Sequence, residues 1–211
     1  MQTIAVVDYG MGNLRSVSKA IEHVAPSARV LVAHDPAVIA AADRVVFPGQ
    51  GAMPDCMREM EASGLAEAVR SAAANKPFLG ICIGMQMLFQ HSAEGDTPGL
   101  SIIDGDVLRF RPDMRGADGV PLKVPHMGWN HVHQERPHPL WAGIADDSRF
   151  YFVHSFYAAP AVSDVCVGAC DYGIHFTCGS ARDNIFGVQF HPEKSQQAGL
   201  RLFANFVAWK P

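Results

Sequence analysis

The segment Phe78-Leu79-Gly80-Ile81-Cys82-Ile83-Gly84-Met85-Gln86 joins a strand-like apolar run to a run at helical spacing, through a turn with a glycine two positions to either side of a cysteine. This is a nucleophile elbow with cysteine where hydrolases more often carry serine. A tight strand-to-helix turn strains the central residue and crowds its neighbours, so side chains at the positions of Gly80 and Gly84 would clash. The helix expected after the turn runs from Ile83 to His91 and leaves the Cys82 sulfur at its N-terminus, where the dipole favours thiolate. The amide of Ile83 points the same way and supplies one of the two hydrogen bonds that an oxyanion needs. The plain alternative is a buried cysteine on an ordinary turn.

Upstream of the elbow, short apolar runs alternate with helical patterns. Ile4 to Asp8 reads as a strand, Asn13 is placed to cap a helix from Leu14 to about Val24, and Arg29 to Val32 and Arg44 to Phe47 are further strands. Pro54 to Asn75 reads as helix broken near Gly64. Strands spaced by helices imply βαβ units and a buried parallel sheet. After Gly95 the pattern changes to strand-like runs at 106–110, 126–133, 150–156, 164–170, 174–178 and 185–190, which suits antiparallel strands joined to that sheet or laid beside it. Ala198 to Trp209 closes the chain as an amphipathic helix. The expected fold is a single α/β domain over residues 1–211. Its central mixed, mostly parallel sheet is flanked by helices, with antiparallel strands added in the second half.

The chain has 211 residues, 48% of them hydrophobic and 18% charged, which excludes a disordered chain. A formal net charge of -4 argues against nucleic acid as a partner. No apolar run approaches the roughly 18 to 20 residues of a membrane span, and no basic leader precedes the first strand. The five cysteines form no CxxC pair, which suits a reducing compartment. The expected location is the cytoplasm.

A thiolate nucleophile needs a base, and His191-Pro192-Glu193 follows a strand. Residues i and i+2 of an extended segment project to one side, and Pro192 biases His191 toward extension, so Glu193 can steady the His191 ring. The order Cys82, His191, Glu193 follows nucleophile, base and orienter logic. Read alone, the tripeptide also fits a turn histidine beside a solvated glutamate. The second oxyanion donor is expected from Pro48-Gly49-Gln50-Gly51, where Gly49 and Gly51 let the backbone approach a substrate at a strand's carboxyl end.

Together these three motifs resemble the class I, triad-type glutamine amidotransferase family. Within it, Asp8 to Ser16, His126 to Asn130, Tyr151 to Ser155 and His191 to Ser195 are similar to the branch that serves histidine biosynthesis. The resemblance implies hydrolysis of L-glutamine to glutamate and ammonia by Cys82, His191 and Glu193, with the oxyanion held between Ile83 and the 48–51 strand. It implies a heterodimer with a separate (β/α)8-barrel cyclase. The ammonia would pass to that subunit to make imidazole glycerol phosphate and an aminoimidazole carboxamide ribotide. Gln86 and Glu94 match positions that hold the substrate's amino acid end, and His154, Ser155 and Phe156 lie in a stretch giving further contacts. Asn13, Trp129 and Lys194 match positions at the cyclase interface. No cofactor or metal is implied. The chain departs from the family at Gln50, where a small apolar residue is common, which bears on the oxyanion strand. Low hydrolysis is expected of the chain alone, with the oxyanion amide turned away until the partner is charged.

Other readings rank lower. Asp8 to Asn13 lacks the third glycine of a dinucleotide fingerprint, with Arg15 in its place. His131, His133 and His138 lack recognisable metal spacing, and packed thiols account for Cys166, Cys170 and Cys178. Phe203, Phe206 and Trp209 read as core. The rival functions are a glutaminase serving another acceptor, a γ-glutamyl hydrolase, or a non-catalytic binding module of the same fold.

Overall fold

The computed structural model describes residues 1–116 and 118–211. Four parallel strands form one half of the main sheet: β1 (Thr3–Val7), β2 (Arg29–Ala33), β3 (Arg44–Gly49) and β4 (Phe78–Cys82), ordered β2-β1-β3-β4. β3 and β4 are buried at every residue, as apolar runs in a two-sided parallel sheet must be. Their crossovers are α1 (Leu14–Val24), α2 (Pro36–Ala41), α3 (Met53–Ser63) and α4 (Ala66–Asn75). α1 turns Val17 and Ile21 to the core. The Asp35 side chain caps α2 by accepting from the Ala37 amide at 2.8 Å. Gly64 ends α3 in the left-handed region, where the sequence places the helix break. Asn13 precedes α1, but its side chain makes no cap hydrogen bond and its backbone carbonyl accepts from Val17 instead.

The helix expected over 83–91 is a single turn, α5 (Ile83–Gln86). The carbonyls of Met87, Leu88, Phe89 and Gln90 accept from the amides of residues 99–103, so the returning chain takes the acceptors that a longer helix would use. His91 and Ser92 then form β5 (His91–Ser92), paired with β6 (Thr97–Pro98) in a hairpin that carries Glu94.

The second half contributes β7 (Gly105–Arg109), β8 (His126–Val132), β9 (Ser148–His154), β10 (Phe156–Pro160), β11 (Cys166–Asp171), β12 (His175–Arg182) and β13 (Ile185–Val188). β13 runs parallel beside β4, and the main sheet continues through β12, β10, β7, β5 and β6, with β11 also on β12. β8 and β9 form a separate antiparallel pair, joined to β11 by a bridge between His133 and Ala169. The strand expected over 150–156 is thus two strands in two sheets, divided at Ser155, whose carbonyl accepts from Phe110. The run expected from 164 opens as a short 3-10 turn, Ser163–Val165. The closing helix is α6 (Gln196–Ala208), with Phe203 and Phe206 fully buried and Trp209 nearly so. Among the described residues, no helix is long and apolar enough to cross a membrane.

Candidate active site

Sheet order builds the site. Cys82 ends β4 with Gly49 of β3 directly beside it, and Val188 of β13 lies beside Ile81 on the other flank. The chain leaving β13 therefore delivers Gln189, Phe190 and His191 to the same sheet edge. Cys82 has φ 56° and ψ −116°, a conformation that L-residues rarely adopt, and is 5% exposed. The glycines around it are forced by packing: a Cβ on Gly84 would stand 1.9 Å from the Phe47 carbonyl oxygen, and one on Gly80 would stand 3.0 Å from the Gly84 carbonyl oxygen.

His191 is extended, but the following residues are not. Pro192–Lys194 form a 3-10 turn, closed by hydrogen bonds from Lys194 N–H to the His191 carbonyl and from Ser195 N–H to the Pro192 carbonyl. That turn, in place of the expected straight segment, folds Glu193 back so that its Oε1 lies 2.9 Å from His191 Nδ1. The pair is buried, with side-chain exposures of 5% and 1%. Burial alone would lower the His191 pKa, but Cys82 and Glu193 outweigh it and push it up to about 10. Nε2 of His191 is buried without a hydrogen-bond partner. The loop is tied to β9: Ser195 Oγ donates to the His191 carbonyl at 2.6 Å and accepts from the Tyr151 amide at 3.0 Å.

Cys82 and His191 open onto a cleft of about 230 Å³ whose wall includes Gln50, Gly51 and Ile83. Gln86, Glu94, His154, Ser155, Phe156 and Lys194 line it as well. Gly49 lies beneath this wall, packed against Tyr9, Ile83 and Gly84. The Gln50 carbonyl accepts a hydrogen bond from the Cys56 thiol at 3.5 Å, which ties the 49–51 segment to α3. Glu94 comes from the β5–β6 hairpin, not from a helix end, and its Oε2 accepts from the Met53 amide at 2.8 Å, at the start of α3. Gln86 donates to the Phe156 carbonyl, while its Oε1 is buried and unpaired. His154 hydrogen-bonds His126 and the Phe156 carbonyl, and burial pushes its pKa down to about 3, so its ring is neutral.

Asn13 and Trp129 do not line the cleft. Trp129 is 37% exposed on β8 and packs edge-on to Tyr151, while Lys194 Nζ lies 5.7 Å from the centre of the same Tyr151 ring. Lys194 thus belongs both to the cleft wall and to the pair made by exposed Trp129 and half-buried Tyr151. Sequence reasoning missed Gln189, Ser195 and Cys56. Gln189 had a usable signal, since it sits two residues before His191 at the end of a strand.

His131 and His133 both lie beside Asp147, and His138 packs against Phe186 and Trp209. Among the described residues, no group of three or more His, Cys, Asp or Glu is placed to hold a metal ion.

The sequence pattern of the family described as Glutamine amidotransferase class-I matches residues 5–209. Imidazole glycerol phosphate synthase subunit HisH of Aromatoleum aromaticum is 65% identical over 213 residues, covering 100% of both chains. The protein of the same name from Dechloromonas aromatica is 65% identical over 212 residues, covering 100% of this chain and 98% of its own. Among solved structures, PurLQS from Thermotoga maritima aligns with a TM-score of 0.74 at 17% identity, covering 98% of each chain. A glutamine amidotransferase crystal structure aligns at 0.70 and 16% identity, covering 97% of this chain and 99% of that one. These structural likenesses concern the fold alone. The sequence match extends over nearly every residue that builds the sheet edge and its cleft, and the chain belongs to the class-I glutamine amidotransferase family.

Proposed function

We infer that this chain is the glutaminase subunit of an imidazole glycerol phosphate synthase. It hydrolyses L-glutamine and passes the ammonia to a separate (β/α)8-barrel cyclase subunit, which makes imidazole glycerol phosphate and an aminoimidazole carboxamide ribotide. The observation that carries the chemistry is His191, with Nδ1 engaged by Glu193 and an unpartnered Nε2 in the electrostatic reach of Cys82. The choice of acceptor is supported by full-length relatives that bear that synthase's name.

The Cys82 sulfur attacks the side-chain carbonyl carbon of glutamine. The resulting oxyanion lies between the Ile83 amide and the 49–51 strand. His191 gives a proton to the departing nitrogen, ammonia leaves, and a thioester remains. His191 then takes a proton from water, whose oxygen attacks the thioester, and glutamate and the thiolate are released. Glu193 holds the ring and stabilises its cationic form. Gln86 Oε1 accepts from the substrate's α-ammonium, beside the Glu94 carboxylate and the backbone of 154–156. Ammonia released into neutral water becomes ammonium and loses its lone pair, so a sealed route to the acceptor preserves the nucleophile. Asn13, Trp129 and Lys194 face the cyclase in a heterodimer.

The test uses the assembled complex with Cys82→Ala. Synthesis from glutamine should vanish while synthesis from added ammonium salts persists. Loss of both would make Cys82 structural, and ammonium-dependent product with a different acceptor only would overturn the pathway.

A further inference from the structure

Gln189 has no part in the steps above, yet it is fully buried beside the nucleophile. Its surroundings decide which way its amide points. The backbone carbonyl of Phe156 can only accept, so the Gln86 atom facing it at 3.1 Å is the amide nitrogen Nε2. The same nitrogen has a second proton, directed at Gln189 Oε1 at 2.8 Å. That leaves Gln189 Nε2 toward the Cys82 sulfur, at 3.8 Å. Turning the Gln189 amide over would set two NH2 groups against each other in a buried space, so the direction follows from the carbonyl.

We propose that Gln189 is a positioning residue for the Cys82 nucleophile. It holds the sulfur by an N–H···S hydrogen bond whose direction is imposed, through Gln86, by the Phe156 carbonyl in the cleft wall. A donor aimed at sulfur favours thiolate over thiol and restrains it to one side of the cleft, and burial strengthens the bond. The chain of amides also joins substrate binding to the nucleophile. Oε1 of Gln86 is the unpaired acceptor, and an ammonium placed on it polarises that amide and tightens both of its Nε2 bonds. The inference rests on the reading of Cys82 as nucleophile.

The test is Gln189→Met, which keeps length and bulk and removes the donor. Alkylation of Cys82 by iodoacetamide, resolved from the other four cysteines by peptide mass spectrometry, is followed against pH in the full chain. The midpoint should move about one pH unit alkaline. Glutamine turnover in the complex should fall about tenfold or more, with kcat falling by more than KM rises. An unmoved midpoint in a folded variant overturns the proposal. Should the variant fail to fold, the unaltered chain answers by NMR. The Gln189 side-chain amide resonance should shift through the pH range of Cys82 alkylation and stay flat in Cys82→Ala, and a flat resonance in both overturns the proposal. Cys82→Ala separates the two readings. Retained glutamine turnover in it refutes the nucleophile assignment, whereas an inactive Cys82→Ala with an unmoved Gln189→Met midpoint refutes only the role of Gln189.

Discussion

β3, β4 and β13 are buried at every residue, whereas β8 alternates and turns Met127 and Trp129 to solvent at 62% and 37% exposure. The first region is finished by its own chain. Backbone approaches so close that only glycine fits position Cys82, and the fully paired parallel strands allow no drift. The second region is not finished. Two large apolar side chains at i and i+2 share a face that this chain covers only in part, Trp129 against Tyr151, and Tyr151 and Lys194 join that face to the cleft. Packing within the chain therefore builds the cleft, and the outer surface is where we propose that the partner docks.

The sharpest break of that contrast is Cys82→Ala. It should lower glutamine turnover by at least about 10³-fold while leaving the thermal midpoint nearly unchanged. A large stability loss would mean that Cys82 serves packing. Next comes Gly84→Ala, whose new Cβ collides with the Phe47 carbonyl, and an overpacked backbone here should cost about 3 kcal/mol or more by denaturant titration. Trp129→Ala should leave stability alone and weaken cyclase binding by about 2 kcal/mol, measured by calorimetry. Unaltered affinity would remove β8 from the interface.

The histidines supply a pH test. Burial lowers His126 to about 4 and His154 to about 3, against about 6.5 unfolded. Between those values the unfolded chain binds protons that the folded one refuses. Their contribution to stability is present above about pH 6.5 and is lost as pH falls through the folded values. By NMR both rings should still be neutral at about pH 5. His175, raised by its bond to Asp171, should titrate above its ordinary range. The smallest effect is expected from Lys194→Ala, about 0.5–1 kcal/mol in assembly, with less change in glutamine binding. A change confined to KM would assign Lys194 to the cleft instead.

The elbow was legible because its glycines are a local necessity, and β1, β3 and β4 because buried parallel strands read as continuous apolar runs. The length of α5 was not legible. Met85 to Phe89 favour helix by propensity, and the returning 99–103 segment stops it by claiming the carbonyls of residues 87–90. The pairing of His191 with Glu193 was expected from the right residues by the wrong geometry, since a 3-10 turn and not strand alternation brings them together. The place of Glu94 depends on a hairpin folded over the start of α3, and that of Gln189 beside Cys82 on β13 being inserted next to β4; the i, i+2 spacing from His191 marks Gln189 as a candidate but does not encode that long-range pairing.

The most direct measurement is glutamate release from glutamine by this chain alone, then with a cyclase subunit and its ribulosyl nucleotide, with Cys82→Ala alongside. The expected result is slow release alone, a steep rise in the full mixture and none from the variant. Equal rates with and without the cyclase, silence in the full mixture, or release by Cys82→Ala would contradict a site built by this chain and governed through its outer face.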